Sequence, residues 1–394
     1  MNLASPETAI SDWLATQKQA MLDLLERLVN IDSGSYDKEG VDAVGAQIKA
    51  FFDAHGIAVE TIPGATKGDV LRAVLAAPDQ AGGNAGRNIV LMGHRDTVFP
   101  KGEAERRPFR IENGRAYGPG VADMKAGLVM NAFVLAAFRK FGAAPGPMVG
   151  LFTGDEEIGS PEGRAVIEAE GRMARAVFNA EPGRPSGNVV TARKGGVFMV
   201  MAIEGKAAHS GGNFEAGISA IEELARKIIA IHALTDLKAG VTLNVGLVRG
   251  GQSVNTVAPF AEGEIDLRYV EPAQRDDIVA KIEAIVRTAN VPGTRATLAI
   301  KGEFLPVNPT AASNALFETY VGAAADAGLK VAGEFSGGCA DSGFTAAVGA
   351  PTICGVGPVG GKAHSPEEYL EIDSMVPRAQ ALARAICRLP QAGL

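Results

Sequence analysis

Five side chains in this 394-residue sequence are of the types that hold metal ions through nitrogen and oxygen: His94, Asp123, Glu157, Glu181 and His364. Two imidazoles and three carboxylates make a hard-to-borderline set that suits Zn, Mn or Co and does not suit Cu(I) or iron–sulfur centres. Five ligands without a thiolate exceed what one tetrahedral zinc takes, so a carboxylate bridging two divalent ions about 3.5 to 4 Å apart is the natural arrangement. Each residue alone has a plainer reading. A histidine after a strand is commonly a hydrogen-bonded structural residue, Asp155-Glu156-Glu157 could be a solvated acidic loop, and Asp123 could cap a helix.

What separates these readings is the joint placement of the residues against the elements that must carry them. Asn88 to Met92 runs into Gly93-His94-Arg95-Asp96-Thr97, and Met148 to Phe152 runs into Thr153-Gly154-Asp155-Glu156-Glu157. Ala176 to Phe178 leads to Asn179-Ala180-Glu181, and Thr352 to Cys354 leads through a glycine-rich loop to His364. Compact apolar runs of this kind are strands buried on both faces. Separated by helical patterns, they predict an α/β layer with a largely parallel sheet flanked by helices. The carboxyl ends of parallel strands share one edge, where ligands bind, so four segments deliver His or carboxylate groups to that edge. Asp123 arrives in the glycine-rich turn Tyr117 to Lys125, directly before a helical pattern over 125–138.

Around this frame, Ser5-Pro6-Glu7 offers a helix cap and a first-turn proline, and apolar residues at helical spacing then predict a first helix ending near Asn30. The texture changes over 192–303 to strand (196–204), helix (214–234), two strands (241–248 and 259–270), helix (274–289) and strand (294–301). That βαββαβ order predicts an inserted α+β ferredoxin-like domain, leaving 1–191 and 304–394 as one discontinuous catalytic domain. Within the insert, alternation places Glu262, Glu264, Asp266 and Arg268 on one face, which by pattern alone is solvated.

Composition is that of a globular chain, 46% apolar and 21% charged with a net charge of -7. The basic residues are scattered, so no nucleic-acid partner is expected. Cys339, Cys354 and Cys387 form neither a disulfide framework nor a thiolate metal site, which fits a reducing cytosol. Met1 to Ala20 lacks a leader-like apolar block, and no apolar run reaches the roughly 20 residues that span a bilayer, so no membrane partner is expected.

The segments Gly-His-Arg-Asp-Thr-Val, Gly-Pro-Gly-Val-Ala-Asp-Met-Lys, Thr-Gly-Asp-Glu-Glu-Ile-Gly-Ser, Ala-Glu-Pro and Ala-His-Ser resemble, in order, the signatures of the M20 metallopeptidases, and the chain is most similar to their glutamate carboxypeptidase branch. The resemblance implies a zinc-exopeptidase-like fold whose insert serves as a dimerisation and lid domain, and a cytoplasmic homodimer. It also implies two divalent ions, zinc before Mn or Co, with Asp123 bridging, His94 and Glu181 completing one site, and Glu157 and His364 the other. Glu156 would be the general base, taking a proton from water acidified by the ions. Neighbouring residues in an extended segment point opposite ways, so Glu157 can bind metal while Glu156 faces the water. Asp96, two residues past His94, would orient that imidazole.

In the insert, His209 resembles the family histidine that enters a neighbouring subunit's site and stabilises the oxyanion. Arg268 sits where the branch places an arginine that grips a substrate carboxylate, and Asn255 resembles a substrate-contacting asparagine. Gly337 and Gly338 resemble the glycine-rich substrate loop, although Cys339 and Ala340 stand where glycine and a hydroxyl residue are usual. The implied reaction is hydrolysis of an N-acyl or peptidyl amino acid bearing a free carboxylate, releasing an acidic residue such as glutamate. Other deacylases, carbamoyl hydrolases and deaminating hydrolases share the scaffold. A non-catalytic metal-binding protein is the alternative of another class, and a spare base at Glu156 argues against it.

Overall fold

The apolar runs before His94, Glu156 and Glu181 become the strands Asn88–His94, Met148–Thr153 and Ala174–Asn179, buried along almost their whole length. In this computed structural model, which describes residues 5–76 and 87–390, they lie at the centre of an eight-stranded sheet. The first four residues of the N-terminal stretch tested above for a leader fall outside the described residues. The strand order is Ala58–Ile62, Val70–Leu75, Met148–Thr153, Asn88–His94, Ala174–Asn179, Thr352–Cys354, Val189–Arg193 and Gly333–Ser336. Pairing is parallel through the four central strands, while Ala58–Ile62, Val70–Leu75 and Val189–Arg193 join antiparallel. The sheet is thus mixed, with its parallel part under the candidate site.

The chain divides into two compact units. The first comprises Met1–Ala192, Pro309–Ser336 and Ala340–Leu394, and the second Arg193–Asn308 with Gly337–Cys339. In the first unit the helix Ala126–Phe141 is buried at every position from Ala126 to Phe138, as a helix apolar on all sides must be. The stretch 121–141 is long and apolar enough to cross a membrane, correcting the expectation that no run approaches that length. Yet 94% of its most apolar window is buried, which makes it the core helix of this unit. A Cβ at Gly127 would run into the Ala180 carbonyl oxygen, so the absence of a side chain lets this helix lie against the segment that carries Glu181.

The first predicted helix is two, Pro6–Ala15 and Lys18–Val29. Ser5 Oγ accepts the Thr8 N–H and Pro6 occupies the first turn, as read. The break at Thr16–Gln17 escapes the periodicity because apolar spacing continues across it, from Leu14 to Met21.

In the second unit, four antiparallel strands run in the order Thr242–Gly250, Phe260–Tyr269, Gly195–Glu204, Arg295–Phe304, the ferredoxin-like order. Its helices are Ala220–His232 and Pro272–Arg287. The helix expected from Phe214 starts at Ala220 instead, where Ser219 caps it by accepting the Glu222 N–H. Between these helices a fully buried Lys227–Glu223 pair is satisfied on both sides. Lys227 donates to the carbonyls of Ile285, Val286 and Thr288, at the end of the second helix.

Candidate metal and active site

In the first unit, side chains from five segments converge. His94 ends its strand almost wholly buried, with Nε2 3.3 Å from Asp123 Oδ1, 3.7 Å from Glu181 Oε1 and 3.9 Å from Glu156 Oε2. His364 Nε2 lies 3.4 Å from Asp123 Oδ2 and 3.2 Å from Glu157 Oε2. The two oxygens of Asp123 therefore face two different imidazoles. Donor atoms sharing a tetrahedral ion at bond lengths of about 2.0 to 2.2 Å sit roughly 3.3 to 3.6 Å apart, which matches the closest of these separations. Glu157 Oε1 is buried without a hydrogen-bond partner among the described residues, a costly state for a carboxylate oxygen unless a cation occupies that side. The residues present fit a pair of divalent ions.

Electrostatics point the same way. Burial disfavours a charged His94, yet Glu156, Asp123, Asp96 and Glu181 together hold its pKa well above the ordinary imidazole value. His364, hydrogen-bonded to Asp123 and Glu157, is pushed up to about 10. Burial pushes the Glu156 carboxyl well up and lifts Glu157 as well, while both imidazoles hold buried Asp123 below the usual carboxylate range. A cluster this acidic draws positive charge, and cations can supply it where protons otherwise would.

Local backbone explains how each group arrives. His364 and Lys362 have positive φ (63° and 56°), so the loop after Thr352–Cys354 curls back on itself and leaves His364 half exposed. Asp123 is held by Glu368, whose buried carboxylate accepts the N–H groups of Gly120, Ala122 and Asp123 at 3.0, 2.9 and 2.9 Å. Burial still lifts Glu368 to about 7. Asp123 does not cap the following helix, whose cap position is Lys125.

Glu156 and Glu157 do not lie in an extended segment, as expected, but in a short helical turn, Glu156–Ile158. Their divergence comes from that turn. Asp96 shapes it: its carboxylate accepts the Glu156 and Glu157 N–H groups, both at 3.1 Å, and the Ser35 hydroxyl at 2.7 Å. His94 Nδ1 meets the Asp96 carbonyl at 3.0 Å and its carboxylate at 3.4 Å. Asp96 thus faces the imidazole, as read, and also anchors the turn, which the spacing did not reveal. Asp341, which the sequence marks only as the end of the glycine-rich loop, accepts the hydroxyls of Ser160 and Thr153 beneath the same turn, and burial lifts it to about 7.

The remaining candidates belong to the second unit. His209 is exposed, and its Nδ1 accepts the N–H groups of Gly211 and Gly212 at 3.2 and 3.1 Å, which puts the ring proton on Nε2. Asn255 lies beside it, its carbonyl taking the Ser210 N–H at 3.0 Å. Arg268 forms a separate group. Its Nε donates to Asp266 Oδ1 at 2.7 Å, its Nη1 to Cys339 Sγ at 2.7 Å, and its guanidinium lies 5.1 Å from the Phe198 ring centroid. Gly337 and Gly338 are exposed beside it, the Gly338 carbonyl accepting from Arg193 at 3.0 Å.

Comparison with known proteins gives a consistent picture. Residues 90–388 match the family described as Peptidase family M20/M25/M40. Carboxypeptidase G2 of Pseudomonas sp. (strain RS-16) is 29% identical over 382 residues, 95% of this chain and 91% of that protein. Acetylornithine deacetylase of Salmonella paratyphi B is 25% identical over 386 residues, 93% and 96% of the two chains. Among solved structures, an M20 family metallo-carboxypeptidase from Sulfolobus solfataricus superposes with a TM-score of 0.74 at 18% identity, covering 93% of this chain and 98% of its own.

Proposed function

The chain belongs to the peptidase family M20/M25/M40 and is a hydrolase, and from that premise we propose that it cleaves the amide bond of an N-acyl or peptidyl amino acid, releasing an acidic residue such as glutamate. The observation that carries the metal-dependent hydrolysis in this reading is the division of the Asp123 carboxylate between His94 and His364. His94 and Glu181 would hold one ion and Glu157 and His364 the other, with Asp123 between them and zinc the preferred metal over Mn or Co. Bound there, two divalent ions supply Lewis acidity that acidifies a water and polarises the scissile carbonyl.

The chain's own residues do the rest. Glu156 takes the proton of the attacking water as the new C–O bond forms, and returns it to the nitrogen as the C–N bond breaks. Asp96 and Asp341 hold the turn that presents Glu156. His209, with its proton on Nε2, would donate to the oxyanion, and the neighbouring Asn255 would contact substrate. Arg268, steadied by Asp266, would bind the free carboxylate, with Gly337 and Gly338 leaving room beside it. The three cysteines are free, in keeping with a cytoplasmic enzyme.

Metal analysis of the purified protein should find two transition-metal ions per chain, and chelation should abolish turnover that zinc restores. A protein that neither retains nor rebinds metal would sink the proposal. A panel of N-acyl and dipeptide substrates differing in the released residue separates acidic-residue release from deacylation of a basic amino acid, the reading favoured by the similarity to acetylornithine deacetylase.

A further inference from the structure

The two imidazoles of the candidate site are supported unequally. His94 closes a buried strand, and its Nδ1 is met by both the carbonyl and the carboxylate of Asp96. A ligating histidine ordinarily has such a partner on its other ring nitrogen, which fixes the ring and its proton. His364 differs: its side chain is 53% exposed, both of its close contacts are made by Nε2, and among the described residues nothing hydrogen-bonds its Nδ1. Its direction therefore depends on the loop that carries it, in which Lys362 and His364 both take positive φ. There the Ser365 N–H and hydroxyl donate to the Lys362 carbonyl at 3.2 and 2.7 Å, and the Glu368 N–H donates to the Ser365 carbonyl at 3.2 Å. These bonds curl the loop, but none of them ties residues 363–367 to the rest of the unit.

One side chain does. Arg107 Nη1 donates to the Pro366 carbonyl at 2.9 Å, and among the described residues no other side chain from outside the loop hydrogen-bonds the backbone of 363–367. Arg107 is itself held firmly. Its side chain is 10% exposed, its Nε donates to the Glu103 carboxylate, and its guanidinium lies 4.8 Å from the Phe99 ring centroid. Glu103, in the short helix Glu103–Arg106, is already bound twice by Arg106, at 2.7 and 2.5 Å. Asp32 holds the start of that helix by accepting the N–H groups of Gly102 and Ala104 at 2.7 and 2.8 Å. The helix is thus secured without a second arginine, and the reach of Arg107 to Pro366 serves the loop. Arg107 Nη2 is buried with no hydrogen-bond partner among the described residues, an unfavourable state that the fold keeps while Nη1 meets the Pro366 carbonyl.

We propose that Arg107 is a positioning residue for His364: by holding the Pro366 carbonyl it sets the affinity for the ion shared by Glu157 and His364, and leaves the ion at His94 and Glu181 almost unaffected. This rests on the two-ion reading above. Zinc titration of the metal-free protein, read by calorimetry and metal analysis, compares the wild type with Arg107→Met, which keeps a long apolar stem but cannot donate, and with Arg107→Lys, which still can. The wild type should take up two ions, and Arg107→Met should weaken one of them by roughly ten- to a hundred-fold while the other stays within about twofold. Arg107→Lys should recover most of the loss. On top of His364→Ala, which removes the ligand itself, Arg107→Met should have no further effect on the remaining ion. Equal affinities in the wild type and Arg107→Met, or weakening of both ions alike, overturn the assignment while leaving the hydrolase intact. A wild type that takes up no ion fails the two-ion reading instead, and amide hydrogen exchange of the metal-free protein then decides the hold on the loop by itself. Amides of Ala363, His364 and Ser365 that exchange roughly tenfold faster in Arg107→Met support it, and unchanged exchange overturns it.

Discussion

Glu156 and Glu157 are consecutive carboxylates with separate surroundings. Glu157 reaches His364 at 3.2 Å, whereas Glu156 stays on the His94 side at 3.9 Å. The donor atoms of His94, Glu156 and Glu181 also lie within 4.8 Å of one another, so geometry alone would admit Glu156 as a ligand. Glu156→Gln distinguishes the roles. As the base it should keep both ions and lower kcat by about 10² to 10⁴, read from metal analysis beside steady-state rates, whereas loss of an ion together with activity would make it a ligand. Arg268 allows a second test. Two of its nitrogens are engaged by Asp266 and Cys339, which leaves Nη2 to meet a carboxylate. Arg268→Ala should lower kcat/KM by roughly 10- to 100-fold for a substrate with a free carboxylate and much less for the corresponding amide. Cys339→Gly, which frees Nη1, should lower KM for the acid with kcat unchanged.

At the scale of elements, the first helix is clamped to the last by one acidic side chain. Glu7 accepts from Arg384 Nη1 at 2.9 Å and Arg388 Nη2 at 2.5 Å, linking Pro6–Ala15 to Met375–Cys387. The Arg388 guanidinium holds the Glu7 carboxyl below its ordinary 4.5, against a smaller opposing effect of burial. A carboxyl whose pKa is lower in the folded than in the unfolded chain stabilises fully above the unfolded value, and that stabilisation is lost as pH falls through the folded one. Glu7→Gln should therefore cost about 1 kcal/mol near pH 7, and the gap in Tm from the wild type should narrow below about pH 4.5. A gap that persists in acid would mean the packing of the side chain matters more than its charge. The same elements mark what was legible beforehand. Strands such as Asn88–His94 were visible because four or more apolar residues end in a reactive one, and burial on both faces leaves such a run little else to become. The anchoring roles of Glu368 and Asp341 were not visible, because their partners lie far along the chain: the backbone of 120–123 for one, Ser160 and Thr153 for the other. Nothing local sets buried Glu368 apart from its exposed neighbour Glu367. The turn at Glu156–Ile158 was misread as extended since its stop signals, Gly159 and Ser160 with φ of 88° and 50°, come only after the residues in question.

At the scale of the molecule, the roles proposed for His209 and for the second unit belong together, because a histidine that acts in a neighbouring subunit requires a dimer. The second unit offers an edge for one. Thr242–Gly250 is one of the two outer strands of its sheet, and Leu247 and Val248 on it are each 58% exposed, an arrangement that isolated chains ordinarily blunt with charge or cover. A two-fold interface along this edge would pair it with its own copy and hide those side chains. The dimer and the trans role can be tested in one experiment with two inactive homodimers, Glu156→Gln and His209→Ala. After exchange of subunits in a mixed dimer, one site has an intact Glu156 and receives His209 of the partner subunit, while the other site lacks both. Random mixing makes half the dimers mixed, so about one quarter of wild-type activity should return. If His209 instead serves the chain that carries it, every site in every dimer keeps a defect and mixing restores nothing. Leu247→Lys breaks the same edge and should yield monomers in sedimentation analysis, and with them both the activity and the rescue should disappear.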